Sequence, residues 1–333
     1  MLKLFRNSSP FSVIILLLLT IGIKFRALTH PQLPEAAEAA FLWKWILQFL
    51  SEIWGHSATV FTLVALITVL LQGLLLNRIA DFGRLYHQSS LLPAVSYIIL
   101  TGIIPEFNYF SAPLVANWLV IIALYQVLSA QGREEVRRQL FNTGFVLSLA
   151  ALIYFPYVVL LIGAVIALAL LTPMKTSGWM IILMGFITPL YFLAGILFLT
   201  DQWSVLPAWP VGSLNYPLTF HNLSPVIIAV VLLLIWGIIA LLYLRGYMQK
   251  MIVSIRSAWW AVFIMTICAA AATIWAFGND ITAWMAFLVF ASLIFANPFF
   301  ETGRKWLTYI LFYAIIVITL WLQWFPDKII FIQ

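Results

Sequence analysis

Apolar runs of membrane-spanning length recur along this chain, and that single feature removes most folds from consideration. A hydrocarbon layer about 30 Å thick is crossed by roughly 20 helical residues, with about 17–25 usual and shorter crossings where partners bury the ends. Reading for apolar stretches broken by charge, Pro, Gly and Asn gives eleven of them: roughly 10–28, 58–76, 89–104, 112–130, 140–155, 157–172, 178–199, 224–244, 258–277, 281–297 and 306–323. Backbone in lipid must satisfy its own polar groups, so such runs read as helices. Composition agrees, with 64% of the 333 residues apolar and 8% charged. Soluble domains hold about 45–50% and about 25%, and no soluble core of this length buries the excess. A soluble enzyme, a coiled coil, a disordered regulator and a disulfide-stapled secreted domain are excluded. The expected fold is all-α: a polytopic transmembrane helix bundle of eleven spans, one domain over residues 1–333.

The stretch from Phe141 to Leu171 is interrupted only at Tyr154-Phe155-Pro156-Tyr157. Either it is one kinked helix or Pro156 turns the chain between two short ones, since proline removes an amide donor and biases its predecessor away from the helical region. Charge decides between them, because Lys and Arg gather in short cytoplasmic loops. With the turn and a cytoplasmic N-terminus, 13 of the 17 basic residues fall inside: Lys3, Arg6, Arg78, Arg84, Arg133, Arg137, Arg138, Lys175, Arg245, Lys250, Arg256, Arg304 and Lys305. A single crossing there would move Lys175, Arg245 to Arg256 and Arg304-Lys305 to the wrong side. The spacing therefore predicts the turn, an internal N-terminus and an external C-terminus. Lys3 and Arg6 before Phe11–Leu19 resemble the start of a secretory signal, but no small-x-small site follows, so the first run reads as a retained helix.

Two external loops are long enough to carry chemistry, 29–57 and 200–223. In the first, Leu42, Ile46, Phe49, Leu50 and Ile53 follow helical periodicity, with Trp43, Trp45 and Trp54 flanking the stripe and Lys44, Gln48, Ser51 and Glu52 opposite. This predicts an amphipathic helix lying in the membrane interface. Glu35 and Glu38 fall in its first turn, either as caps favoured by the helix dipole or as catalytic or cation-binding carboxylates. The second loop carries Asp201, Trp203, Trp209, Asn215, Tyr216 and His221 among three prolines. Its flat aromatic faces suit a sugar ring, and equally a membrane-interface belt.

Catalytic candidates are thus Glu35, Glu38 and Asp201, with Trp203, Trp209 and His221 as substrate-binding candidates. No metal-ligand spacing occurs and no cofactor is expected, although a divalent cation on Glu35 or Asp201 is compatible with the way Mg²⁺ uses one or two carboxylates plus a phosphate. Cys268 is the lone cysteine, so no intrachain disulfide forms. The 17 basic residues are scattered between apolar runs rather than clustered, which argues for membrane topology and against nucleic acid. No phosphate-cradling glycine motif is present, so nucleotide hydrolysis has no visible site. An ion-coupled transporter is expected to hold an acid within a span. Here only Lys24 falls inside one, near enough to its end to snorkel.

Phe5-Arg6-Asn7-Ser8-Ser9-Pro10, Asn117, the run from Arg137 to Phe145 and Leu152-Ile153-Tyr154-Phe155-Pro156 together resemble a family of uncharacterised polytopic inner-membrane proteins of Bacteroidota. That resemblance implies a bacterial inner-membrane location and no particular activity. In architecture the chain also resembles polyprenyl-phosphate-sugar-dependent membrane glycosyltransferases, which place an acid in the first external loop beside an interfacial helix. Glu35 and Glu38 occupy that place, but the adjacent acidic pair of those enzymes is absent. Two functions follow as expectations. One is a membrane subunit of an envelope, export or assembly complex, bound to lipids and membrane-protein partners through charge-free spans and small-residue patches such as Ala269–Ala272. The alternative is a glycosyltransferase-like enzyme using a lipid-linked glycan at the outer face.

Overall fold

The computed structural model describes residues 2–6, 9–34, 41–133, 135–173, 176–201, 223–276, 281–300 and 305–324. Every regular element among them is helical. In chain order these are α1 (Leu2–Phe5), α2 (Pro10–Thr29), α3 (Phe41–Trp54), α4 (Ala58–Phe82), α5 (Leu92–Leu100), α6 (Ala112–Ser129) and α7 (Arg137–Ile153). There follow α8 (Val159–Leu171), α9 (Thr176–Leu199), α10 (Leu223–Met248), α11 (Val253–Ala276), α12 (Met285–Phe295), α13 (Asn297–Phe300) and α14 (Lys305–Trp324). Among the described residues, eight helical segments are long and apolar enough to cross a membrane. The other three of the eleven apolar runs hold the shorter helices α5, α7 and α8.

Each shortening has a local cause. Pro93 opens α5 in its first turn, and after Thr101-Gly102 the chain is extended at Ile104, as expected of a residue before Pro105. Gly102 is required there, because a methyl would collide with the Ile23 side chain of α2. Between α7 and α8 the chain leaves the helix at Tyr154, which is extended, and makes a 3-10 turn over Phe155–Val158. The chain reverses at this turn. Gly144 of α7 and Gly185 of α9 meet so closely that a methyl on either would strike backbone of the other helix. Further along both chains, Leu149 and Leu152 cluster with Leu190, Leu193 and Leu197. The helices α7 and α9 therefore run parallel, and α8 must return between them. It runs against α11, with Phe155 on Trp275 (5.5 Å) and Gly163 on Cys268.

At the centre lie α5 and α12, packed on each other. All nine residues of α5 are buried, and so are nine of the eleven in α12. Around them stand α2, α4, α6, α10 and α11. At one end the Leu91 amide donates to Phe5 O (2.8 Å), Arg6 Nε to Phe299 O (2.9 Å) and Trp259 Nε1 to Leu85 O (3.0 Å), and Gln131 Nε2 donates to Ser254 O. These bonds gather at one end the N-terminus and four of the loops that the charge distribution groups together. At the other end Tyr109 donates to His30 O (3.2 Å) and Arg26 to Gln323 O (3.2 Å).

The helix α3 is present, and part of its stripe packs on the bundle. Trp43 is buried against Phe110 (5.5 Å), and Trp54 meets Phe61 edge-on (5.3 Å). Leu42, Ile46 and Leu50 pack on the bundle, while Phe49 (62% exposed) and Ile53 (59%) point away from it beside Trp45. The protein itself takes three of the five residues of the predicted apolar stripe. The amphipathic helix is expected over residues 36–54, of which 36–40 lie outside the described residues.

Candidate functional site

Of the residues expected to carry chemistry, Glu35, Glu38, Trp203, Trp209 and His221 lie outside the described residues. Asp201 is exposed just beyond the end of α9 with φ +52°, a left-handed conformation that Asp tolerates better than most residues. Among the described residues, no three His, Cys, Asp or Glu side chains come together as metal ligands would.

The chemistry that the structure does assemble lies elsewhere, around Lys24. Its side chain does not snorkel, being 1% exposed. Leu16, Thr20, Ile23, Lys24 and Ala27 form one buried face of α2, so the lysine points into the bundle with them. Lys24 Nζ donates to Asn108 Oδ1 (2.7 Å), Asn108 Nδ2 to Gln323 Oε1 (2.9 Å), and Gln323 Nε2 to the Gly102 carbonyl (2.5 Å). A buried ammonium is costly unless hydrogen-bonded, and here an amide oxygen faces it while a second amide fixes the first. The same end of α14 receives Arg26, whose Nη1 donates to Gln323 O, one of the carbonyls a helix terminus leaves unpaired.

Beside this relay stands Glu106, in the 3-10 turn Pro105–Asn108. Burial holds its carboxyl above the usual carboxylate range, and among the described residues Oε2 is sequestered without a hydrogen-bond partner. Tyr109 feels both neighbours: burial raises its phenol first, Arg26 opposes that, and Glu106 adds to it. The sequence expectation that Lys24 snorkels from near the end of its span is thus corrected: its place on the inner face of α2 encloses it. A signal was nevertheless present, since Lys24 continues the Leu16–Thr20–Ile23 face at helical spacing.

A second polar chain runs through the centre. Tyr97 donates to Gln72 Oε1 (2.7 Å), and Gln72 Nε2 to Leu114 O (2.7 Å). Tyr157 donates to Asn117 Oδ1 (3.0 Å), and Asn117 Nδ2 to Met285 O (3.1 Å). A third set closes the end of α12 and α13. The Tyr86 hydroxyl donates to Leu293 O (2.5 Å), Trp236 Nε1 to Phe295 O (3.0 Å) and Arg6 Nε to Phe299 O. Burial pushes the Tyr86 phenol well above its usual range, which keeps it a donor.

The contacts to Gly102 O, Gln323 O, Leu293 O, Phe295 O and Phe299 O share one logic. A helix that ends inside the bundle strands its last carbonyls away from water, and each must find a donor. Long side chains from neighbouring helices supply them, so the interior polar groups join helix to helix. Comparison with protein-family models, with curated proteins and with solved structures gives no match for this chain.

Proposed function

We propose that this protein is a non-catalytic membrane subunit of an envelope, export or assembly complex in a bacterial inner membrane. In this reading all eleven apolar helices cross, with the N-terminus cytoplasmic and the C-terminus external. The observation that carries it is the use made of the interior polar side chains. Lys24, Gln72, Tyr97, Asn108, Asn117, Tyr157 and Gln323 are directed at amides and carbonyls of neighbouring helices. Interhelical hydrogen bonds of this kind serve as glue where no hydrophobic drive acts between helices. A transport or catalytic centre would instead aim such groups into a chamber for a ligand.

Outward, the bundle offers broad apolar faces to lipid and to partner helices. On α9 these include Trp179, Met184, Tyr191 and Phe192, all exposed. Affinity purification of the full chain in a mild detergent, from its own host, tests the reading. The expected result is a membrane-protein partner at constant stoichiometry through size exclusion. A single-chain particle would overturn it if the Glu35→Gln, Glu38→Gln, Asp201→Asn variant also lost function at normal abundance. That outcome would favour the alternative, a glycosyltransferase-like enzyme whose reactive groups are external carboxylates. Orientation is read separately, by accessibility of cysteines placed at 131 and 201 in a Cys268→Ala background, with labelling expected from opposite sides.

A further inference from the structure

The geometry points to a binding site for an anionic phospholipid in the groove between the end of α10 and the start of α11. The groove has a volume of about 350 Å³ and is lined by Leu241, Arg245, Met248, Gln249, Arg256, Trp260 and Phe263. Cavities from about 300 Å³ upward accommodate small-molecule ligands, so a phosphate headgroup and the first part of one chain fit this space.

The two helices present matching arrangements. On α10, Leu241 lies one turn deeper into the helix than Arg245, which sits in the last turn. On α11, Trp260 lies one turn deeper than Arg256, with Phe263 beyond it. Both guanidiniums therefore stand at the helix-end level, and both apolar walls continue from there toward the middle of the bundle. A phospholipid has the same layering, with charge at the interface and an acyl chain below. Both arginines are exposed. Leu241 and Trp260 are 46% and 54% exposed, so the deeper part opens sideways onto the surface where lipid would stand.

Charge selects the headgroup. Residues 202–279 contain Arg245, Lys250 and Arg256 and no Asp or Glu. Among the described residues, neither guanidinium of the groove has an acidic partner. Arginine's planar fork takes two phosphate oxygens at once, which a zwitterionic choline headgroup would counter with its own cation. Trp260 at this depth matches the preference of indoles for the headgroup region.

The test uses the full chain, purified and delipidated in mild detergent, titrated with phosphatidylglycerol, with phosphatidylcholine of the same chains, or with inorganic phosphate, and read by native mass spectrometry and thermal midpoint. The wild type is expected to retain phosphatidylglycerol in preference to phosphatidylcholine. The Arg245→Gln, Arg256→Gln variant should lose that preference by about tenfold, the size expected for removing charge-assisted hydrogen bonds. An Arg137→Gln, Arg138→Gln control should keep it. Equal preference in the wild type and the groove variant would overturn the site, and displacement by inorganic phosphate at matched concentration would overturn the lipid as its occupant. Should the arginine variant fail to fold, Trp260→Ala keeps both charges. It should weaken long-chain phosphatidylglycerol but not a short-chain soluble analogue, and unchanged long-chain binding would overturn the seat assigned to the chain.

Discussion

The central pair α5 and α12 and the peripheral pair α9 and α10 are equally apolar, yet the bundle treats them in opposite ways. Every residue of α5 is buried, whereas 28% of the spanning window of α9 and 22% of that of α10 are buried. In water such a difference would be written in hydrophobicity. In lipid it is not, because acyl chains are as apolar as leucine. The central helices are marked instead by small and polar residues, such as Ala94, Ser96, Ala286, Ala291 and Ser292, which let neighbours approach. The peripheral ones carry bulky outward groups such as Trp179, Met184, Tyr191 and Leu242.

That contrast breaks most sharply at glycine. Gly144→Leu should cost about 3 kcal/mol or more, since its side chain would strike the backbone of α9, which cannot give way as a flexible side chain does. Gly195→Leu, in the same α9 but with nothing near its added carbon, should leave stability unchanged. Thermal midpoints of the detergent-solubilised variants measure both. Similar losses at both positions would show that α9 tolerates no bulk anywhere, and the contrast between inner and outer surfaces would fail.

The Lys24 relay gives the next largest effect. Asn108→Leu should destabilise by about 3 kcal/mol, because it removes the acceptor and leaves a buried ammonium unpartnered. Lys24→Met removes the charge itself and should be nearly neutral or stabilising, and adding it to Asn108→Leu should recover most of the loss. A double-mutant cycle by chemical or thermal unfolding reads the coupling. Simple additivity of the two changes would mean that the relay is not a unit.

In the middle of the bundle Asn117→Leu should cost about 1 kcal/mol, the scale of one interhelical hydrogen bond, because it removes the bond donated to Met285 O and the one accepted from Tyr157. The smallest effect has the opposite sign. Burial raises the folded-state pKa of Glu106 above its unfolded value, so this carboxyl favours the folded state at low pH. That contribution is lost as pH rises through the raised pKa. Glu106→Gln should therefore raise the thermal midpoint slightly at neutral pH, with the gain vanishing below the ordinary carboxylate range. A gain that persists unchanged at low pH would assign the effect to packing rather than to charge.

How much of this was legible in sequence depends on the kind of signal each feature leaves. The break at Pro156 could be read because proline acts locally and because basic residues on both sides needed a chain reversal to share a face. The stripe of α3 was also read from its period, but periodicity does not say whether lipid or protein covers it. Phe49 and Ile53 face outward, while Leu42, Ile46 and Leu50 of the same stripe face the bundle. Glu106 leaves no such signal, because its meaning comes from burial of a turn whose partners are far away in the chain.

The sequence by itself determined the helical class, the positions of the apolar helices and the grouping of the basic loops at one end. These rest on local backbone requirements in lipid and on charge that resists burial, and both are properties of short stretches. Only the tertiary structure decided which helices stand at the centre, that Lys24 is enclosed, and which helix-end carbonyls Gln323, Tyr86 and Trp236 satisfy. Those outcomes turn on partners separated by up to 221 residues, as between Gln323 and Gly102. A helix end declares that it needs a donor, but the donor's identity exists only once the chain has folded around it.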